Sequence, residues 1–270
     1  MKKFISVLLS LVIILSCFVS AYAAQEKLHY LVLGDSIGVG SGIVNPGEAC
    51  YGKIVANTNG YIYSNFAIDG FTTSNLLNWI DDQQVSDTIK SADIINISIG
   101  GNNFIKNNLP WLLLTVTFGN MSVINKIVEG VNRDLHEIIT KIKAKNSDAV
   151  IILQTLYNPW KIKGIAGLYQ KGVDALNACF RDYLKENPGA YELADVCSAF
   201  AAEKNLIAID TIHPNAKGNI LIAKVILKKL SELGLGTKTE PVILAQPIDR
   251  VSKDPSNYLR MFGFYTGIFL

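Results

Sequence analysis

The sequence predicts an α/β protein, a three-layer α/β/α sandwich around a five-stranded parallel sheet. Three observations lead there. Five short β-rich runs alternate with helical patterns along the chain, and strand–helix alternation gives parallel strands joined by right-handed crossovers. The runs are nearly continuous in Val, Ile and Leu, as strands must be when helices cover both faces of a sheet. The stretches between them keep apolar residues at helical spacing. This is clearest in 124–145, where Ile124, Ile127, Val128, Val131, Leu135, Ile138, Ile139 and Ile142 recur with charges between them.

Taken in order, strands are expected at His29–Leu33, Tyr61–Ile68, Asp93–Ile99, Ala149–Leu156 and Leu206–Asp210. Helices are expected at Cys50–Asn57, Thr73–Trp79, Val85–Ser91, Ile124–Lys145, Leu168–Lys185 and Asn215–Leu233. Two segments stand outside the pattern. The apolar stretch Leu109–Val123 carries Pro110 and Gly119 and reads as a loop or broken helix. The chain from 234 to 270 ends in an apolar run, Tyr258 to Leu270, and is expected to pack back on the same domain.

The N-terminus reads as a leader. Lys2 and Lys3 precede an apolar run from Phe4 to Val19, which continues into Ala21-Tyr22-Ala23, a small-x-small cleavage pattern. Cleavage after Ala23 would leave 247 residues, enough for one large domain over 24–233 plus its extension. It would also remove both surplus charges of a chain with formal charge +2. A neutral surface argues against nucleic-acid binding, which needs clustered positive charge. After the leader no apolar stretch reaches the roughly 18–20 residues that span a bilayer. An exported, extracytoplasmic protein is the expectation. Ile14-Leu15-Ser16-Cys17 offers an alternative, lipid attachment at Cys17, and an uncleaved leader acting as an anchor is a third.

Three cysteines follow the leader, Cys50, Cys179 and Cys197, with no Cys-x-x-Cys spacing. An odd set of this kind is neither a disulfide framework nor a zinc site. Small buried hydrophobes are the favoured reading, with a Cys179–Cys197 pair as the alternative. His29, His136 and His213 share no short metal-ligand spacing, and no metal is expected.

In a doubly wound sheet, ligands bind beyond the carboxyl ends of the strands. Four expected strand ends carry polar or glycine-rich residues: Gly34-Asp35-Ser36-Ile37-Gly38, Asn65 to Asp69-Gly70, Gly100-Gly101-Asn102-Asn103, and Asp210-Thr-Ile-His213-Pro214. Each alone fits an ordinary cap or turn. Together they contain what acyl transfer to water requires. A serine hydroxyl is a poor nucleophile unless a base such as histidine adjoins it. A carboxylate must hold that imidazole in one tautomer, and Asp-x-x-His places both side chains on one short turn. Developing negative charge on the substrate oxygen needs fixed N–H donors. A glycine backbone N–H, an asparagine amide and the Ser36 N–H suit that task.

Two rival motifs fail. Gly34-x-Ser36-x-Gly38 satisfies the nucleophile-elbow pattern, but in that fold strands precede the elbow, and here almost no chain does. Gly38-x-Gly40-x-Gly42 has the wrong spacing for a dinucleotide loop and lacks the acid at the end of the second strand.

The ordered blocks, GDS near the N-terminus, a central glycine, GGNN, and DTIHP near the C-terminus, resemble the SGNH (GDSL-type) hydrolase family of esterases and lipases, over about His29 to Leu233. The resemblance implies a flavodoxin-like arrangement of the sheet, with Ser36 as nucleophile and Asp210 and His213 completing the triad. It implies Ser36, Gly70 and Asn102 as the oxyanion hole. One departure stands out: the third block usually reads Gly-x-Asn-Asp, and Asn103 takes the aspartate's place. Tuning of local hydrogen bonds is expected, with the donor Asn102 retained.

The function expected is an exported serine ester hydrolase acting on a small-molecule or lipid ester, with no cofactor. Trp111, Leu112 and Phe118 in the apolar segment would wall an acyl chain, and contact with a membrane surface would suit such a substrate. The alternative for Leu109–Val123 is core packing. Deacetylation of a polysaccharide is the main enzymatic alternative. A secreted binding protein that kept the fold without activity is the other class.

Overall fold

The computed structural model describes residues 27–106, 109–160 and 165–250. The leader expected over 1–23, Cys17 included, and the apolar chain end 258–270 lie outside them. In chain order the elements are β1 (His29–Gly34), α1 (Ser36–Val39), α2 (Pro46–Ala49), α3 (Tyr51–Asn59), β2 (Ile62–Asn65), α4 (Thr73–Trp79) and α5 (Gln83–Ser91). They continue with β3 (Ile94–Ser98), α6 (Gly101–Ile105), α7 (Leu109–Thr117), α8 (Ser122–Lys145), β4 (Val150–Gln154), α9 (Ile165–Glu186), β5 (Glu192–Ala194), α10 (Val196–Ala202) and α11 (Ala216–Glu232).

The strands form one sheet in the order β2-β1-β3-β4-β5, every neighbouring pair parallel. The period-two alternation of a strand decides which helix layer each side chain meets. Leu31, Leu33, Ile95, Ile97, Ile151 and Leu153 face α4, α5, α8 and α9. Tyr30, Val32, Ile94 and Ile152 face α3, α10 and α11. Two apolar layers, one per face, explain why the strands read as unbroken Val/Ile/Leu runs.

Two expectations are revised, and one with two alternatives resolves to the second. The fifth strand is Glu192–Ala194, not Leu206–Asp210. The 206–210 backbone bonds to its own return, with Ala208 N–H donating to His213 O at 2.8 Å and Asn215 N–H to Leu206 O at 2.8 Å. Its donors and acceptors close a loop instead of extending the sheet, and a three-residue strand is too short to show a periodicity. β2 is shorter than expected, yet Phe66 N–H and Ile68 N–H go on to Val32 O and Gly34 O, so the chain keeps company with β1 toward Gly70. Leu109–Val123 is a broken helix: α7 ends at Thr117, Gly119 takes φ +77, and α8 begins at Ser122.

The described tail, 234–250, lies against the domain. Tyr61 Oη donates to Leu235 O, Val242 N–H to Thr58 Oγ1, and Val44 N–H to Ile248 O, at 2.6, 2.9 and 2.9 Å. Asp249 caps α11 by accepting from Ala216 N–H at 2.7 Å. Cys50, Cys179 and Cys197 are free thiols. Among the described residues no helix is long and apolar enough to cross a membrane.

Candidate active site

The site assembles where β1, β2 and β3 end. β1 ends at Gly34, and Asp35 turns the chain into α1: its N–H donates to Ser98 O at 3.0 Å, and its Oδ1 caps the helix by accepting from Ile37 N–H at 3.0 Å. Ser36 is thereby the first residue of α1, 8% exposed. A sharp cap of this kind leaves the Ser36 N–H at a helix start, where no intrahelical acceptor exists for it.

The 206–215 loop brings in the other two triad candidates. Asp210 Oδ1 accepts from the Ile212 and His213 N–H groups at 3.0 and 2.9 Å, which folds the Asp-x-x-His segment around its own carboxylate. Asp210 Oδ2 then meets His213 Nδ1 at 2.7 Å, and His213 Nε2 meets Ser36 Oγ at 2.8 Å. Tyr157 Oη donates to Ile212 O at 2.8 Å and pins the loop to the chain after β4. Burial pushes the Asp210 carboxyl up, but the hydrogen bond and the proximity of His213 outweigh it and hold Asp210 below the usual carboxylate range. Residues 177 positions apart thus form one line of contacts from carboxylate to imidazole to hydroxyl.

Gly70 and Asn102 come from the adjoining strand ends. Gly70 takes φ +74, the left-handed region that favours glycine. Asn102 Nδ2 donates one hydrogen to Phe71 O at 3.0 Å, which orients the amide and leaves its second hydrogen. Among the described residues neither Ser36 N–H nor Gly70 N–H donates to a protein group. Ser36 N–H, Gly70 N–H and the second Asn102 amide hydrogen, at the ends of three adjoining strands, thus keep capacity for an outside acceptor.

Of the expected wall residues, Leu112 and Phe118 are not brought to one surface. Leu112 is 3% exposed and lies in the core with Val116, whereas Phe118 is 81% exposed. The helix explains the split: Leu112 and Val116 are four apart on the core face, Leu114 and Phe118 four apart on the solvent face. The Trp111 side chain lies outside the described residues.

Several contributors had no individual signal in the sequence. Ser41 Oγ donates to Asp69 Oδ1, and Ser41 N–H to Ser36 O at 3.1 Å, so the Ser36 turn is tied to the residue before Gly70. Lys106 Nζ lies beside Gly70, about where a Cβ there would meet it at 3.5 Å. Among the described residues no group of three or more His, Cys, Asp or Glu could hold a metal ion.

Asp35 is 3% exposed, and burial raises its carboxyl to about 7, against the pull of the Ile37 N–H and of His213. A raised acid binds its proton more tightly folded than unfolded. Its contribution is therefore favourable at low pH and is lost as pH climbs from about 4 to about 7. Asp35→Asn keeps the Oδ1 acceptor for the cap and removes the titration. Its stability advantage over wild type should be near zero at pH 4 and grow through pH 7, with a ceiling on the order of 4 kcal/mol. Denaturant unfolding of both proteins across pH 4–8 reads this difference, in which the opposite trend of Asp210 cancels. An advantage that shrinks with rising pH would refute the assignment.

Comparison with known proteins gives the family. Residues 32–220 match the model of the GDSL-like Lipase/Acylhydrolase family. The chain is 26% identical over 203 residues to the spore germination lipase LipC of Bacillus licheniformis, covering 71% of this chain and 91% of that one. It is 24% identical over 260 residues to the uncharacterized protein YpmR of Bacillus subtilis, covering 86% and 98%. The crystal structure of the lipase Lip_vut3 from a goat rumen metagenome superposes with a TM-score of 0.62 at 22% identity, over 78% of this chain and 99% of that one. The family supports hydrolysis of esters. With its match running from β1 into α11 and taking in every strand end that carries the site, the chain belongs to the GDSL-like lipase/acylhydrolase family.

Proposed function

We propose that the protein is an exported serine ester hydrolase that cleaves carboxylic esters, chiefly of acyl chains, through an acyl-enzyme on Ser36. The observation that carries the reading is the 2.8 Å contact between His213 Nε2 and Ser36 Oγ, with Asp210 Oδ2 at 2.7 Å behind it. Ser36 Oγ bonds to the ester carbonyl carbon as its proton passes to His213 Nε2. The carbonyl oxygen takes the negative charge and accepts from Ser36 N–H, Gly70 N–H and the free Asn102 amide hydrogen. As the C–O bond to the alcohol breaks, His213 returns the proton to the leaving oxygen. Water, deprotonated by His213, then attacks the acyl carbon and frees the carboxylic acid and Ser36. Asp210 stays ionised throughout and stabilises the imidazolium. The chemistry needs no cofactor.

Two features favour an acyl substrate. The helix directly after the one bearing Asn102 presents Leu114, 48% exposed, and Phe118 on its solvent face. Two of the similar proteins are named lipases. Such a face also suits contact with a lipid surface. Export rests on the Lys2-Lys3 start, the Phe4–Val19 run and Ala21-Tyr22-Ala23.

The test is hydrolysis of a p-nitrophenyl ester series from acetate to palmitate by wild type and Ser36→Ala. Serine-dependent turnover peaking at medium or long chains is expected. A peak at acetate would move the substrate to an O-acetyl ester. Absence of serine-dependent turnover across the whole series would leave a binding protein on a hydrolase fold.

A further inference from the structure

We propose that Asn103, Thr73 and Asp134 are positioning residues that set the spacing of the oxyanion hole, the carboxylate that usually follows the block-three asparagine being replaced here by one from α8. The inference rests on the ester-hydrolase reading of the site. Two of its pieces, the Gly70 turn and the start of α6 bearing Asn102, belong to chain segments about thirty residues apart, and something must hold them in register.

The structure shows what does. Thr73, three residues after Gly70, donates its N–H to Asn103 Oδ1 at 3.1 Å, and Asn103 Nδ2 donates back to Thr73 Oγ1 at 3.0 Å. Thr73 Oγ1 passes its own hydrogen to Asp134 Oδ2 at 2.7 Å, and Arg133 Nη2 lies 3.1 Å from Asp134 Oδ1. Thr73 is fully buried and Asp134 is 6% exposed. Asn102 Nδ2, one residue along, reaches Phe71 O at 3.0 Å, so both bonds join the same two segments.

The direction of the hydrogens explains the asparagine. Thr73 has one hydroxyl hydrogen, and Asp134 takes it. The group at 103 must then donate to the Thr73 oxygen, which an amide does and an ionised carboxylate cannot. An aspartate at 103 would keep the Thr73 N–H but set two carboxylates competing for the one Thr73 hydroxyl hydrogen, so one carboxylate oxygen would face the Thr73 oxygen with no hydrogen between them. With Asn at 134 the chain could run the other way: amide to Thr73 oxygen, Thr73 hydrogen to a carboxylate at 103. An aspartate at 103 should thus be tolerated only where 134 is an asparagine.

Three variants test this: Asn103→Asp, Asp134→Asn and the double exchange, each read by kcat, KM and unfolding temperature. Asn103→Asp should lose roughly tenfold or more in kcat with KM within about twofold, as a shift of the donors weakens the transition state without loosening the substrate. Asp134→Asn alone should stay within about threefold of wild type, because an amide oxygen still accepts from Thr73, and the double exchange should return to that level. Should Asn103→Asp not fold, Thr73→Val, which deletes the hydroxyl, should lose kcat while Thr73→Ser retains it. Coupling in unfolding temperature without coupling in kcat would make the trio merely structural and overturn the proposal. So would a double exchange no better than Asn103→Asp, or Asn103→Asp or Thr73→Val as active as wild type. A wild type with no Ser36-dependent turnover would instead sink the functional reading, and this inference with it.

Discussion

Replacing Ser36 with alanine is expected to lower ester turnover by roughly 10⁴- to 10⁶-fold while leaving the fold intact. The hydroxyl makes one side-chain contact, to His213 Nε2, and the helix cap beneath it belongs to Asp35, so its loss removes chemistry and little structure. The unfolding temperature should move by no more than about 2 °C. His213→Ala should lose turnover comparably, since residues acting as one unit fail together. A serine-directed phosphonate should label wild type once and Ser36→Ala not at all. Equal labelling of the two proteins would place the nucleophile elsewhere, and equal turnover would remove Ser36 from the mechanism.

Gly42→Ala should have the second-largest effect. A Cβ on Gly42 would lie 2.0 Å from Pro214 O and 3.1 Å from His213 Cβ. The first of these is a backbone atom, so relief requires the loop after α1 or the His213 loop to move bodily. Strain of about 1–3 kcal/mol is expected from such overpacking. A displacement near 1 Å at the catalytic base is worth on the order of 10²-fold in rate. Gly47→Ala is the matched control: nothing lies within 4 Å of its added methyl, and stability should stay within about 0.5 kcal/mol of wild type. Both variants are read by kcat/KM and by thermal unfolding. If Gly42→Ala behaved like Gly47→Ala in both, the close approach of the two loops would be wrong.

Such effects show where the sequence is informative and where it is silent. β1, β3 and β4 are legible because each is a short, Val/Ile/Leu-rich run between helical patterns, as a strand covered on both faces must be. Thr73–Trp79 and the 124–145 pattern are legible because helical spacing survives without knowledge of the partner. β5 was not legible: Glu192–Ala194 is too brief for a period, and the more apolar 206–210 run hydrogen-bonds to its own return. The α7 wall was misread for a related reason. Apolar content marked the segment, but only the helix's phase sends Leu112 inward and Phe118 outward.

The candidate site divides along the same line. Ser36, Asp210 and His213 are singled out by the order of blocks and its resemblance to a family, with Asp-x-x-His adding a spacing that closes a local turn. Gly70 and Asn102 could be placed at strand ends, where a doubly wound sheet gathers its ligands. The supports, Asp35 buried beneath the serine, Ser41 on Asp69, and Thr73 between Asn103 and Asp134, are contacts of high sequence separation between ordinary polar residues. By itself the sequence determined the layered α/β fold, through periodicity, and pointed to Ser36, Asp210 and His213 through the resemblance of its ordered blocks to a hydrolase family. Only the tertiary structure decided which strand completes the sheet, which face of α7 meets solvent, and how the Gly70 and Asn102 segments are held together. Those depend on hydrogen-bond partners that no local pattern encodes.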